Sequence, residues 1–237
     1  MIRPDTVALL KDNTADNQKA LLTLVVNTAV IGNYTSNPGS LIAVPGILAP
    51  GEGDFEGVNL LPYFSGGLAS TNAGGFYGVS VNFLDGGGAD PIKMGYPAND
   101  VNSAQYILLT HLYPYFAGLL GCSLFGATVE PYPGRTSMYE VHKFMALDEH
   151  EVGWFVTNVG KSAASFGVTD DDVATVGKAL LDTFGMNCAA PVAIPATAEP
   201  ALQAICIEPT CPLADPPSCE LYPPFFFEPY PVGGGMK

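Results

Sequence analysis

Apolar residues recur three or four positions apart in five separate segments of this chain, and that spacing limits the fold. Such a period places apolar side chains on one face of an α-helix. The segments cover residues 18–32, 103–121, 138–145, 149–166 and 170–184. The alternating pattern typical of strands is weak throughout the chain. The sequence therefore predicts an all-α core.

Capping residues mark the expected helix boundaries. Side chains with a short polar group are favoured where a helix begins, because they accept hydrogen bonds from its free backbone N–H groups. Pro114 lies inside the second segment and predicts a kink or a split there. The expected capping or starting residues are Asp16 or Asn17, Asn102 or Ser103, Asp148 or Glu149, and Thr169.

Two stretches lack a long helical period. Residues 36–98 are rich in glycine and proline, so we expect an irregular insertion with short helices and a hairpin folded on the core. Residues 189–237 are rich in proline and cysteine. We therefore divide the chain into a helical domain at 1–188 and an extended tail at 189–237. The aromatic run from Tyr222 to Tyr230 should pack on its own domain or on a neighbouring copy.

Net charge and motifs exclude several classes of function. The formal charge of −14 argues against nucleic acid and against an anionic membrane surface. No apolar run is long enough to span a bilayer. The chain has neither a phosphate-binding P-loop nor a dinucleotide-binding fingerprint, and Gly86 to Gly88 are expected to form a turn. These observations do not favour a hydrolase or a transferase.

Four of the five cysteines lie in the last 50 residues. A segment with so little apolar periodicity needs disulfides to stay ordered, which indicates an oxidising compartment. Because the first residues lack the apolar core of a signal peptide, we expect that this chain, if it is exported, is the processed form. We expect Cys122 to pair with Cys188, since both follow long helices. Two of the three remaining cysteines, Cys206, Cys211 and Cys219, should pair in the tail.

Two of the three histidines lie on apolar helical faces. His142 shares a face with Met138, Val141 and Met145, and His111 lies on the face that carries Leu108 and Leu112. A histidine in such a place is often a core residue satisfied by hydrogen bonds. It can also be a haem ligand, because haem iron binds neutral imidazole. His150 lies among acidic residues and is expected to be exposed.

From Asn102 to Cys188 the chain resembles the group I truncated haemoglobins. The family's ordered motifs have counterparts in this sequence, and the spacing from His142 to the Gly-Val pair needs no gap. They are Leu120-Gly121-Cys122, Tyr132-Pro133-Gly134-Arg135, Met138, Val141-His142, Leu147, Val152 and Gly167-Val168. Residues 36–98 and the tail have no counterpart in a minimal member of that family.

The resemblance implies a two-on-two helical core that binds haem b, iron protoporphyrin IX, without a covalent link. His142 would be the proximal iron ligand, and His111 would lie where some cyanobacterial and algal members place a sixth, distal ligand. Val25-Val26 would replace an aromatic pair whose tyrosine commonly stabilises bound oxygen. Arg135 or Lys143 could pair with a propionate. The residues expected to surround the haem are Leu108, Leu112, Tyr115, Phe116, Val141, Phe144, Met145 and Phe155.

Two functions follow as hypotheses. The first is a bis-histidyl haem protein that acts outside the cytosol, in electron transfer or in redox chemistry of a diatomic ligand such as O2 or NO. Its partners would be haem and a small ligand or a redox protein. The second is a secreted structural protein that keeps a globin scaffold and assembles through its tail.

Overall fold

A computed structural model describes residues 12–34, 42–75, 77–122, 124 and 132–225 of the chain. The first eleven residues and the aromatic residues from Phe226 to Tyr230 lie outside the described residues. Predictions made for those positions remain predictions.

The described part of the chain is mostly helical. Its 3₁₀ turns cover Gly53–Phe55, Lys143–Met145 and Cys219–Leu221, and a π-helical turn over Leu181–Gly185 continues the last long helix. The α-helices are α1 at Ala15–Ile31, α2 at Leu61–Ser65, α3 at Ala89–Lys93, α4 at Ala104–Leu119, α5 at Met138–His142, α6 at Glu149–Ser165 and α7 at Asp170–Leu180.

A small hairpin makes the chain less than strictly all-α. Strands β1, Thr71–Gly74, and β2, Tyr77–Val79, pair in antiparallel fashion, with Thr71 opposite Val79. Gly75 supplies a positive φ of 78° where the chain reverses. The mostly helical class is confirmed, and the hairpin expected within residues 36–98 is present at 71–79, so the described chain is helical with one small sheet rather than strictly all-α.

Side-chain caps fix where the long helices begin. Ser103 and Thr169 cap α4 and α7 as expected, and Asp148 forms a capping box with Glu151 at the start of α6. Thr14, rather than the expected Asp16 or Asn17, caps α1 by accepting a hydrogen bond from the backbone N–H of Asn17. Acidic residues occupy the first turns of α6 and α7, where the helix dipole stabilises negative charge.

Helices α1 and α6 cross closely through buried polar contacts. The Ser162 hydroxyl donates to the carbonyl of Val25 at 2.8 Å. Asn158, which is fully buried, accepts from the N–H of Gly46 at 2.9 Å. A Cβ on Gly46 would clash with the backbone at the end of α1, so glycine lets the loop after α1 approach that helix. These contacts fix the loop and α6 against α1.

The described tail packs on the helical body of its own chain. Ile194, Ala204 and Cys206 are buried, and the N–H of Ile205 donates to the carbonyl of Phe184 at 2.9 Å. Further along, the Tyr139 hydroxyl donates to the carbonyl of Pro223 at 2.6 Å. Residues 189–225 therefore contribute to the core that the helices form.

The disulfides differ in part from those expected from the sequence. Cys188 bonds Cys219, with Cα atoms 4.6 Å apart, and Cys206 bonds Cys211. The expected pair within the tail is therefore present, but the pairing of Cys122 with Cys188 is wrong. The N–H of Ser218 donates to the carbonyl of Cys188, which brings Cys219 beside Cys188. Cys122 is a half-buried free thiol at the end of α4.

Candidate functional site

An apolar cavity of about 220 Å³ lies among α1, α4, α5 and α6. Side chains from the hairpin, from α2 and from the tail complete its wall. Its polar or ionisable lining residues are Tyr63, Ser70, Thr71, Tyr115, His142 and Glu151. The remaining lining residues are apolar, so the cavity suits a ligand that is mostly hydrocarbon.

The structure brings most of the predicted site residues to this one cavity. Eight of the ten line it, and the two that do not are His111 and Phe144. The eight are Leu108, Leu112, Tyr115, Phe116, Val141, His142, Met145 and Phe155.

His142 is held with one ring nitrogen turned to the backbone. Its Nδ1 lies 2.9 Å from the carbonyl of Met138, one turn earlier in α5. Because a carbonyl can only accept, Nδ1 carries the proton, and a neutral ring then leaves Nε2 as the basic nitrogen. Histidines that bind metals commonly donate their other N–H to a carbonyl in this way.

Burial favours the neutral form of this ring. Removal from water lowers the pKa of His142, although the bond to Met138 opposes part of that effect. The side chain is half-buried, and it lines the cavity. His142 therefore presents a neutral imidazole at the cavity wall.

His111 lies at a different place from the one expected. Its ring does not line the cavity and meets the ring of Tyr132 edge-on, with centroids 5.9 Å apart. Partial burial lowers the pKa of His111. The structure thus gives no support to an arrangement in which both histidines face one ligand. His150 is exposed, as expected.

Phe144 does not line the cavity. It is buried against Phe225 of the tail, with ring centroids 5.9 Å apart, and its Cβ and Cγ lie where a Cβ on Gly78 would be. Lys143 is bound to Glu140 at 2.7 Å. Phe144 therefore helps to anchor the end of α5 rather than to wall the site.

The short helix that carries His142 depends on the tail for its position. A five-residue helix is not stable alone, so tertiary contacts must hold it. Gln203, 1% exposed, accepts hydrogen bonds from the Tyr115 hydroxyl and from the N–H of Met138. Its amide N–H groups donate to the carbonyls of Thr136 and Val192. Gln203 thereby ties α4, α5 and the tail together.

On the cavity wall, a hydrogen-bonded group of Tyr63, Glu151 and the carbonyl of Met145 joins α2 to α6. The Tyr63 hydroxyl is 3.0 Å from the carbonyl of Met145 and 3.3 Å from Oε1 of Glu151. Burial is the largest cause that raises the pKa of Tyr63, and neighbouring Glu151 adds to it. Burial also raises the pKa of Glu151. This group closes the cavity beside the turn that follows His142.

The resemblance placed Val25-Val26 of α1 at the site, and both line the cavity, but sequence reasoning missed most of the wall outside α4, α5 and α6. Further residues from α1, the insertion, the turn after α7 and the tail line the same cavity. They include Leu22, Ala29, Ile47, Leu60, Phe83, Phe184 and Ile205. The apolar stripe of α1 was visible in the sequence, but no local signal shows that Ile47 or Ile205 reaches the cavity.

The lining residues of the cavity have the chemistry that haem needs, but the cavity volume is smaller than haem needs. One neutral imidazole in an apolar enclosure matches the way proteins hold haem iron. The volume of about 220 Å³ lies below the roughly 300 Å³ at which ligand pockets usually begin. Haem therefore fits the chemistry of the wall, and its binding requires the lining side chains to move apart.

Comparisons with known proteins identify no family. No family model matches the sequence, and neither a curated protein nor a solved structure matches it. Within the described residues, no three His, Cys, Asp or Glu side chains are grouped to hold a metal ion. The same residues contain no helix long and apolar enough to cross a membrane.

Proposed function

We propose that this protein binds one haem b in the cavity, where Nε2 of His142 would hold the iron, on a truncated-globin-like scaffold. The observation that carries the proposal is the hydrogen bond from Nδ1 of His142 to the carbonyl of Met138 beside an apolar cavity. When bound, haem supplies one-electron redox chemistry and a site for a diatomic ligand.

The arrangement of helices supports the scaffold. Helix α1 packs against α4 and α6, and α6 packs against α7. The helix with the proposed ligand lies between α4 and α6 in the chain, which is the order that the resemblance implies. The described parts of residues 36–98 and of the tail are then additions that close the cavity and hold α5.

The part of the wall formed by α1 and α4 favours some activities over others. The residues that line the cavity from α1 are aliphatic, and the hydroxyl of Tyr115 on α4 is bonded to Gln203. The described lining residues of these two helices thus offer no free hydrogen-bond donor to a polar ligand. That wall favours electron transfer, or a ligand such as NO that needs no donor, over storage of O2.

His142 is the only histidine that the proposal needs at the iron. A bis-histidyl site would require His111 to leave Tyr132 and enter the cavity. We therefore expect ferric protein to show the absorption spectrum of iron with one histidine ligand.

Reconstitution with matched histidine variants tests the proposal. The apoprotein titrated with haem should show a Soret band that saturates at one haem per chain. His142→Ala should abolish stoichiometric binding, because it removes the ligand and its hydrogen bond. The exposed His150→Ala is the control and should bind like the parent. A His142→Ala protein with an unchanged spectrum would refute the assignment.

The two disulfides favour a location outside the cytosol for this protein. Two bonds, Cys188–Cys219 and Cys206–Cys211, are of the kind that persists in oxidising compartments. We propose a secreted, extracellular or periplasmic protein on this basis. Isolation from the native source with both bonds formed would support it, and isolation as free thiols would count against it.

Exposed apolar side chains favour the second candidate function, assembly with other copies. Met94, Tyr96 and Val101 are each more than 60% exposed, and Ile107 is half exposed. We propose that these residues, which lie within 14 positions of one another in the sequence, form part of a contact surface. Light scattering would decide this point: the Met94→Ser and Tyr96→Ser double variant should dissociate an oligomer, and a parent that is monomeric at all concentrations would exclude it.

A further inference from the structure

Ser70 presents a buried hydroxyl that the described residues leave unused. The residue is 7% exposed, it lines the cavity, and its Oγ has no hydrogen-bond partner in the described part of the chain. Burying a hydroxyl without a partner costs free energy. A ligand that accepts a hydrogen bond at this point would recover that cost.

The hairpin fixes Ser70 on the side of the cavity that holds His142. The N–H of Ser70 donates to the carbonyl of Val79 at 3.0 Å, immediately before β1. Strand β1 packs against α5 and against the turn Lys143–Met145. Ser70 therefore lies on the same side of the cavity as His142, and a ligand held by His142 would meet the Ser70 hydroxyl through a polar group at the ligand's edge.

The other polar groups of the wall are already engaged. Tyr63 and Tyr115 donate to protein acceptors, and both carboxylate oxygens of Glu151 accept hydrogen bonds. Thr71 accepts a bond from the N–H of Ala73. Lys143, a candidate for pairing with a propionate, is bound to Glu140. Among the described polar residues of the wall, Ser70 is thus the one whose side chain is wholly unpaired.

We propose that Ser70 donates a hydrogen bond from Oγ to a carboxylate at the edge of the ligand, which for haem b is a propionate. This assignment rests on the proposed function. It follows from chemistry: the two propionates are the polar groups of an otherwise apolar molecule, and a carboxylate is a strong acceptor for a buried hydroxyl.

Haem and its dimethyl ester separate this role from a structural one. Ser70→Ala and the parent are loaded with each, and release to an excess of a haem-binding apoprotein is followed by absorption. Ser70→Ala should release haem b about tenfold faster or more, because a hydrogen bond to a charged group is lost. With the ester, whose carboxylates are blocked, the two proteins should release at similar rates. The exposed Ser80→Ala is the control and should match the parent in both cases.

The apoprotein gives a second readout. Removing an unpaired hydroxyl should leave the denaturation midpoint of apo Ser70→Ala equal to that of the parent or higher. A lower midpoint, or equal acceleration of release for haem and its ester, would show that Ser70 acts through folding and would overturn the assignment. Unchanged release of haem b would overturn it as well. If the parent binds neither haem nor the ester, the proposed function itself fails, and this assignment fails with it.

Discussion

His142 and His111 show how the same residue type acquires different surroundings. Both lie on apolar helical faces, and burial lowers the pKa of each. The bond from Nδ1 of His142 to Met138 is local, one helical turn away, and leaves Nε2 basic beside the cavity. His111 instead packs on Tyr132, which lies 21 positions further along the chain. One ring therefore lines the cavity and the other is packed on an aromatic neighbour.

The lowered pKa of His142 predicts a pH dependence of stability. Below the ordinary histidine pKa of 6.5, the unfolded chain binds a proton at this site more readily than the folded one. The contribution of His142 is therefore most favourable above pH 6.5, and it declines as pH falls through that value. His142→Gln should reduce the loss of apoprotein stability between pH 7.5 and pH 5.5, measured by urea denaturation. His150→Gln should retain the parent's loss, and an equal loss in all three proteins would contradict the prediction.

Gln203 is the residue on which the position of α5 should depend most. Gln203→Leu keeps the approximate volume but leaves the N–H of Met138 and the hydroxyl of Tyr115 without a partner. We expect a loss of about 2–4 kcal/mol in the free energy of unfolding, since each buried group left unpaired costs about 1–3 kcal/mol. Gln18→Leu, on a half-buried site of α1, removes the bond that Gln18 accepts from the N–H of Leu124 and should cost about 1 kcal/mol, because the groups it leaves unpaired are less buried. Similar costs for the two variants would show that Gln203 has no special role.

At the level of elements, the end of the described tail lies on the outer side of α5. Tyr222 and Phe225 pack on Tyr139, with ring centroids 4.8 Å and 6.3 Å away, and the Tyr222 hydroxyl donates to the carbonyl of Ala189. Lys143 lies over the rings of Tyr139 and Phe144. Helix α5 is thus held between the cavity on one side and an aromatic cluster on the other.

Shortening the chain tests this support. A chain that ends at Leu221 loses the aromatic cluster, whereas one that ends at Phe225 keeps it. The shorter chain should be about 2–4 kcal/mol less stable, because each aromatic pair contributes about 0.5–1.5 kcal/mol and a buried hydrogen bond is lost too. Hydrogen exchange at residues 138–145 should also be faster. Equal exchange in the two chains would show that the cluster does not hold α5.

For the whole molecule, the two disulfides restrict the unfolded chain to different degrees. The Cys188–Cys219 bond closes a loop between residues 31 positions apart in the sequence. The Cys206–Cys211 bond closes a loop between residues 5 positions apart. The longer loop also connects the π-helical end of α7 to the segment that covers α5. Both bonds make the described tail part of the fold.

Removing each bond should therefore have unequal effects. By chain entropy, loss of Cys188–Cys219 should cost about 4 kcal/mol and loss of Cys206–Cys211 about 2 kcal/mol. Paired Cys→Ala variants measured by guanidinium denaturation would give both values. Cys122→Ala, which breaks no bond, is the control. A larger cost for the shorter loop would contradict the ranking.

Local sequence accounts for much of the helical framework. The caps at Ser103, Asp148 and Thr169 and the apolar period of the long segments depend on residues within one or two turns of each other. The same is true of the bond between His142 and Met138. Contacts of this kind depend only on neighbouring residues in a helix, so they can be read from the sequence. The sequence could therefore predict the helices and the exposed position of His150. It could also predict most of the apolar residues from α4 to α6 that line the cavity.

The tertiary packing of the chain determined the remaining features of the fold and of the cavity. Ile47 and Ile205 reach the cavity, Gln203 reaches α5, and Cys188 meets Cys219 through contacts between residues far apart in sequence. The spacing of apolar residues within a helix or a strand does not show which distant segments of the chain will pack together. That choice depends on which packing buries the most apolar surface while it pairs the buried polar groups, and this is a property of the whole chain. It paired Cys188 with Cys219 rather than with Cys122, and it packed His111 against Tyr132 rather than at the cavity.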